Sequence, residues 1–440
     1  MLKFYNRKED ISILEDIYRQ IDVSGKMTVI TGRRRVGKTM LASEFAKGKK
    51  SIYLFISKSS ENLLCTESIK IITENFELPV IGTIDSFAKV FELVLQLAQR
   101  EKIVLIIDEF QEFYTINPSI YSEFQNLWDK YKKKSKIHLI FIGSVYSLIV
   151  KIFEKSSEPL FGRADRMLLI KPFSASVIKN ILDDYDSFSP DNLFLLYVIT
   201  GGIPRYLEIL ANNAAFCRED IFDFILQKDS PFLNEGRNLL IEEFGGRYAI
   251  YFSILELIST GKTSRPAIES ILQKNTGGYL DRLDSVYGVI GKVVPFDAKP
   301  MGKTVKYRIG DNFLNFWFRF INKNRFAIET GNFGYIRTIL DRDFDTYSGT
   351  MLERLFHDLI AGTFKYNRIG YYWEKKNRNE IDLIAVNDMK KRMLVADIKL
   401  NPDKINIETL KTKAKNIVSR FADYDIEYNG FSIPTISEYL

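Results

Sequence analysis

Eight residues constrain this chain more than any others. Gly32-Arg33-Arg34-Arg35-Val36-Gly37-Lys38-Thr39 has the spacing GxxxxGK[ST] and runs on into Met40. It follows an apolar, β-branched run (Lys26–Thr31) and opens a helical pattern (Thr39–Lys47). A loop in that setting curls its backbone N–H groups around a phosphate, at the positive end of the helix that follows. Lys38 is expected to reach the β- and γ-phosphates, and the Thr39 hydroxyl to ligate Mg²⁺.

Further short apolar runs, Ser51–Ile56, Ile103–Ile107, Ile137–Ile142 and Met167–Ile170, are separated by segments of helix length. Such alternation predicts a parallel sheet covered by helices on both faces. The run from Ile103 ends in Asp108-Glu109. Its apolar body would be buried, delivering Asp108 to the metal at the strand's C-terminal tip, where open α/β sheets bind ligands. Glu109 is then placed to polarise an attacking water. Ile137–Ile142 ends in Gly143-Ser144, and Ser144 reads either as a sensor of the γ-phosphate or as an ordinary turn serine. Arg163 and Arg166 are each open to two readings: an arginine finger for a neighbouring subunit or domain, or a surface arginine paired with Asp165. Arg205, in Gly201-Gly-Ile-Pro-Arg-Tyr-Leu, opens a helix and is expected to approach the nucleotide.

Composition removes several alternatives. The chain has 440 residues, 46% hydrophobic and 27% charged, with a net charge of +6. It is long enough for two to four domains, too apolar to be disordered as a whole, and too weakly basic for charge alone to argue a nucleic-acid partner. Cys65 and Cys217 lie far apart, as do His138 and His357, so neither a disulfide framework nor a cysteine zinc site is expected. Met1–Asp10 lacks an apolar core, and Leu139–Val150 is too short to span a bilayer. A cytoplasmic chain with no membrane partner is expected.

The chain resembles archaeal and bacterial ATPases of the AAA+-related, STAND-like group. These carry a C-terminal winged helix and a nuclease-like domain once known only as a domain of unknown function. The resemblance rests on Phe4-Tyr-Asn-Arg7-Lys-Glu9, the Gly32–Thr39 loop, Ile107-Asp-Glu-Phe-Gln111 and Gly143-Ser144. It continues through Pro159-Leu-Phe-Gly-Arg163, Thr200-Gly-Gly-Ile-Pro204 and Ile309-Gly-Asp311-Asn-Phe-Leu-Asn-Phe-Trp317. It implies ATP, rather than GTP, as the cofactor beside Mg²⁺. The fold expected is α/β: an ASCE P-loop sheet (1–172), a helical lid (173–244), a winged helix (245–310), a helical connector (311–345) and a restriction-endonuclease-like α/β domain (346–440).

In the last of these segments, two strands are expected about an Asn-Asp turn at 387–388. Symmetry about Met389/Lys390 places Asp382 opposite Asp397 and Glu380 opposite Lys399, with all four groups on one face. Asp382, Asp397 and Lys399, joined by Glu353, could hold Mg²⁺ and activate water on a phosphodiester, the D…(D/E)xK arrangement that the resemblance also implies. The alternative is a solvent-facing ladder of Glu380 with Lys399. The winged helix would bring Arg282, Lys292, Lys299, Lys303, Lys306 and Arg308 to DNA, or serve as a protein-interaction module. A protein partner or a homo-oligomer is also open. Phe313, Phe316, Trp317, Phe318 and Phe320 cover more than one helical face and read as core.

Overall fold

The computed structural model describes residues 3–78, 84–144, 146–244, 248–298, 305–374 and 378–440. Its chain divides into two compact units, Asn6–Lys171 and Pro172–Leu440, the latter joined by the first few residues.

The first unit is built on five parallel strands: β1 (Lys26–Thr31), β2 (Ser51–Phe55), β3 (Ile103–Asp108), β4 (Ile137–Gly143) and β5 (Arg166–Leu169). Their order across the sheet is β2-β3-β4-β1-β5. Every residue of β3 and β4 is buried, which is why these strands are continuous apolar runs and not alternating ones. Successive side chains go to opposite faces. Met27, Val29, Leu105, Ile107, Leu139 and Phe141 join a core built with Phe91 and Phe124. Ile30, Val104, Ile106, Ile140 and Ile142 join another with Leu14, Leu41 and Phe45. Strand β4 thus separates the phosphate-loop strand from the Asp108-Glu109 strand.

The second unit starts with helices Ala175–Asp184, Pro190–Thr200, Pro204–Asn212, Arg218–Ile225 and Pro231–Phe244. Local chemistry sets their starts: the Ser189 side chain accepts a hydrogen bond from Asn192 N, with Pro190 in the first turn. Helices Tyr248–Ser259, Arg265–Leu272 and Gly277–Asp281 follow, then an antiparallel pair, β6 (Ile290–Val293) and β7 (Lys306–Ile309). Ser264 caps the second of these helices, again with a proline in its first turn. Phe313, Phe316, Trp317, Phe318 and Phe320 are all buried in the unit's largest core, as their spread around the helix required.

A 30-residue helix, Phe333–Gly362, leads into β8 (Arg368–Tyr372), β9 (Ile381–Asn387), β10 (Arg392–Ile398), helix Ile407–Val418 and β11 (Asp425–Phe431). The sheet order is β11-β10-β9-β8, antiparallel except that β11 runs parallel to β10. One face packs Leu383, Ala385, Leu394 and Ala396 into the core shared with Leu355 and Phe356 of the long helix. The other packs Ile384, Val386 and Val395 against Leu410 and Ile417. A boundary between residues 345 and 346 would cut the long helix in mid-course, so the segments expected on either side of it share one element.

Candidate functional site

The phosphate loop is shaped by two glycines. Gly32 sits at φ +146°, and a Cβ there would lie 2.4 Å from the carbonyl oxygen of Ile170. The squeeze arises because Ile170 N donates to Thr31 O (2.8 Å) as β5 leaves the sheet. Gly37 caps the helix Lys38–Ala46 at φ +89°, a conformation that costs glycine little. Lys38 is buried, and its Nζ donates to the carbonyls of Gly32 and Arg33, each at 2.9 Å. Its charge is thereby held over the loop it follows. Within Arg33–Val36, Arg35 takes a left-handed φ of 68°. Thr39 and Met40 are exposed on the first turn of the helix.

Asp108, buried at the tip of β3, collects three donors. Thr39 Oγ1 reaches Oδ2 at 2.6 Å, Tyr53 OH reaches the same oxygen at 2.9 Å, and the Glu109 amide reaches Oδ1 at 2.8 Å. Burial, then the Asp108 charge, pushes the Tyr53 hydroxyl up from its ordinary range, so it donates at any physiological pH. The hydroxyl of Thr39 and the carboxylate of Asp108 are hard oxygen donors side by side, a set that suits Mg²⁺.

Glu109 turns the chain sharply (φ 54°). Its Oε2 accepts from Ser144 Oγ at 2.7 Å and from Gln111 Nε2. Ser144, at the end of the intervening strand, therefore touches Glu109. Val145, the residue after it, lies outside the described residues.

Three residues here were not singled out for the site from sequence. Arg7, buried in a left-handed turn, donates to Val36 O (3.1 Å) and Lys171 O (2.6 Å), tying the loop to the end of the unit. Tyr53 and Gln111 orient the two acids. Arg7 and Gln111 stand in motifs already noted, Phe4–Glu9 and Ile107–Gln111, whereas Tyr53 carried no such signal.

Arg163 is engaged elsewhere. It forms a two-pronged pair with Asp129 (3.2 and 2.8 Å) and donates to Pro159 O at 2.7 Å. Asp165, its expected surface partner, instead accepts from Met27 N (2.8 Å) and faces Lys26 and Lys132. Register explains why: Thr28 lies beside Arg166, so this segment meets the N-terminal end of β1, and the phosphate loop leaves the other end. Arg205, in the second unit, is exposed and pairs with Glu208 at 2.9 Å.

In the mixed sheet the expected register holds. Asn387 pairs with Arg392 and Leu383 with Ala396, which sets Asp382 opposite Asp397. Lys399 Nζ donates to both carboxylates, at 2.7 Å and 2.8 Å, and the Ile398 amide adds a bond to Asp382 at 2.8 Å. Burial raises the Asp382 carboxyl against the opposing pull of Lys399. Glu353 is pushed up by burial, and next by the Asp382 charge. Glu380 does not pair with Lys399; it takes Lys306 at 3.0 Å, which lies closer to it once the hairpin β6–β7 packs here. Among the described residues no three His, Cys, Asp or Glu side chains are gathered to hold a metal ion. As it stands, the pair Asp382 and Asp397 balances an ammonium, and the donor set does not by itself fit a divalent cation.

The hairpin's basic residues are also spoken for. Lys292 pairs with Asp281 and Asp284. Arg308 donates to Tyr371 OH at 3.0 Å, and the Phe296 amide bonds Tyr371 O at 2.6 Å. Phe296 itself is buried in the core of the mixed sheet. Arg282 is exposed, and Lys299 and Lys303 lie outside the described residues. Lys306 and Arg308 thus face the mixed sheet and not open solvent alone.

Residues 4–210 match the family described as an ATPase domain predominantly from Archaea. Residues 317–416 match archaeal and bacterial proteins of unknown function. An uncharacterised protein of Methanocaldococcus jannaschii is 28% identical over 407 residues, 90% of this chain and 87% of that one. Among solved structures, a Walker-type ATPase of Pyrococcus abyssi aligns at 19% identity and a TM-score of 0.55, covering 72% of this chain and 96% of its own. The Aeropyrum pernix ORC2 protein, in ADPNP and ADP complexes, aligns at 16% identity and 0.50, covering 74% and 95%. Among the described residues no helix is long and apolar enough to cross a membrane. The chain is thus similar over residues 4–210 to an ATPase domain found predominantly in Archaea, and over residues 317–416 to archaeal and bacterial proteins of unknown function.

Proposed function

We propose that this protein is a Mg²⁺-dependent ATPase that couples hydrolysis to DNA binding or processing through its C-terminal unit. The observation that carries the reading is the hydrogen-bonded set Thr39–Asp108 and Glu109–Ser144 at the carboxyl ends of β1, β3 and β4. Gly32–Met40 would seat the phosphates, Lys38 swinging from its carbonyl partners to the β- and γ-oxygens. Thr39 and Asp108 would hold Mg²⁺, which neutralises phosphate charge when bound. Glu109, aligned by Ser144 and Gln111, would orient the attacking water. Arg163, at the far end of the sheet, would serve only the nucleotide of a second copy, and only after releasing Asp129; Arg205 is proposed to contact the nucleotide from the second unit. Such a protein would work in the cytoplasm.

The nucleic-acid half of the reading is supported by the order of elements after residue 333. The run of a helix, three antiparallel strands, a second helix and a parallel strand, with Asp382, Asp397 and Lys399 on neighbouring strands, supports reading this segment as restriction-endonuclease-like. The winged-helix reading of this half is supported by three helices followed by an antiparallel pair of strands between Tyr248 and Ile309. A second reading, a nucleotide-controlled switch whose C-terminal module binds without cutting, is favoured by the Lys399 bridge across both carboxylates.

The deciding experiment is ATP turnover with and without duplex DNA, for wild type, Lys38→Ala and Glu109→Gln. Stimulation by DNA, lost in both variants, is the expected result. Turnover indifferent to DNA would move the assignment to the switch. Tight ATP binding with no wild-type turnover would remove the role given to Glu109.

A further inference from the structure

Two hollows flank the long helix inside the second unit. One, of about 490 Å³, lies beneath the hairpin and is walled by Lys306, Arg308, Arg354, Tyr371, Trp373 and Asp382. The other, of about 780 Å³, lies on the other side and is bordered by Asn192, Arg218, Lys399, Asn401 and Lys404. Thr346, Thr350 and Glu353 border both. Their spacing of four and three residues puts them on one helical stripe, a ridge of short side chains over which the hollows meet. The Asp382–Lys399–Asp397 cluster reaches both hollows, through Asp382 on one side and Lys399 on the other.

The chemistry of the walls selects an anionic, partly aromatic ligand. On the hairpin side the four cations Lys306, Arg308, Arg319 and Arg354 outnumber the three carboxyl groups of Glu353, Glu380 and Asp382, with Lys306 paired to Glu380. Arg354 is pinned there by the carbonyls of Ile309 and Gly310. Lys306 lies 4.4 Å from the centre of the Trp373 ring, and Tyr371 is braced from behind by His357, ring to ring at 3.9 Å. Tyr347 lines the same hollow, and its buried hydroxyl makes no hydrogen bond. On the far side Lys404 is exposed. Cations along a track with aromatic walls are what hold a single strand without reading its sequence. Each hollow has the volume of a small-molecule pocket, room for a nucleotide or two and far too narrow for a duplex.

We propose that a single-stranded nucleic acid lies across the Thr346–Thr350 ridge, one stretch in each hollow, with its phosphates taken by Arg308 and Lys404. This rests on the DNA-directed reading above and narrows it to an unpaired strand. It also gives the hairpin's basic residues a ligand they reach without leaving the mixed sheet.

The test is a fluorescence-anisotropy titration of the full chain, in EDTA and without ATP. The probes are a labelled oligothymidylate and a duplex of the same length. Arg308→Glu reverses a charge, and Thr350→Trp, at an exposed position, fills the ridge without changing charge; basal ATP turnover of both variants reports that the chain is intact. The expected result is preference for the single strand, with each variant weakening it about tenfold or more. Single-strand binding unchanged in both variants overturns the proposal but leaves the DNA-directed reading standing. A preference for duplex overturns it as well, and binding of neither probe overturns both.

Discussion

At the scale of single residues, the division of labour between Ser144 and Glu109 has measurable consequences. Ser144 Oγ lies 2.7 Å from the Glu109 carboxylate, so in the proposed mechanism its first duty is to aim the acid. Ser144→Ala should lower kcat by roughly ten- to a hundredfold and leave ATP affinity unchanged, since the lost bond is felt in the reacting geometry and not in phosphate binding. Glu109→Gln should cost more, on the order of a thousandfold, with affinity again retained. Rapid-quench turnover beside equilibrium nucleotide binding separates the two effects. A Ser144→Ala protein that lost affinity instead would restore the γ-phosphate contact as its main role. Glu109, Asp108 and Ser144 were legible because each ends an apolar strand. Arg7 was marked only as part of a motif and Tyr53 not at all, because nothing local shows what a side chain does when its partner lies tens of residues away.

At the scale of elements, the tightest constraint is the approach of β5 to the phosphate loop. Gly32→Ala would drive a methyl into the Ile170 carbonyl, 2.4 Å from its ideal position, and no side chain can move aside because the obstacle is backbone. A loss of about 2–3 kcal/mol in the stability of the first unit is expected, with ATP affinity down a hundredfold or more. Urea unfolding and nucleotide titration would show both; wild-type values in either would mean that the loop relaxes. Strands proved readable where they were fully buried, as β3 and β4 show, and register proved readable where a turn lay between two strands. Symmetry about Met389/Lys390 placed Asp382 opposite Asp397, because the turn adds no bulge. The same symmetry misassigned Glu380, because its partner Lys306 lies 74 residues away in sequence. The long helix hid its extent for a related reason: it begins among aromatics and ends beside the mixed sheet, so its two halves look like parts of different domains.

At the scale of the whole molecule, stability in acid follows from the only two histidines, one in each unit. Burial, then the Lys49 charge, holds His138 down to about 3, and its Nε2 meets Thr28 Oγ1 at 2.9 Å. Burial holds His357 down to about 4, against a backbone bond to Asp382. Both pKa values are depressed, so the unfolded chain takes up protons first. The stabilisation from neutral imidazoles is complete above about pH 6.5 and is lost as pH falls toward 4. Each unit should lose on the order of 2–3 kcal/mol across that window. Denaturant titrations at pH 7.5 and 5 should show the fall, and His138→Gln should flatten it for the first unit; an unchanged pH slope would mean that His138 is protonated when folded.

The helix Phe333–Gly362 decides how this protein can be taken apart. About 45 Å long, it lends Ile336, Leu340 and Phe344 to the aromatic core and Leu355 and Phe356 to the mixed sheet. A fragment begun at residue 346 would keep the sheet's half of the spine but strip the other, leaving the stump of a helix with no start. The smallest piece of the C-terminal half that carries its own scaffold therefore includes Asn332, whose side chain caps that helix, and extends through Leu440.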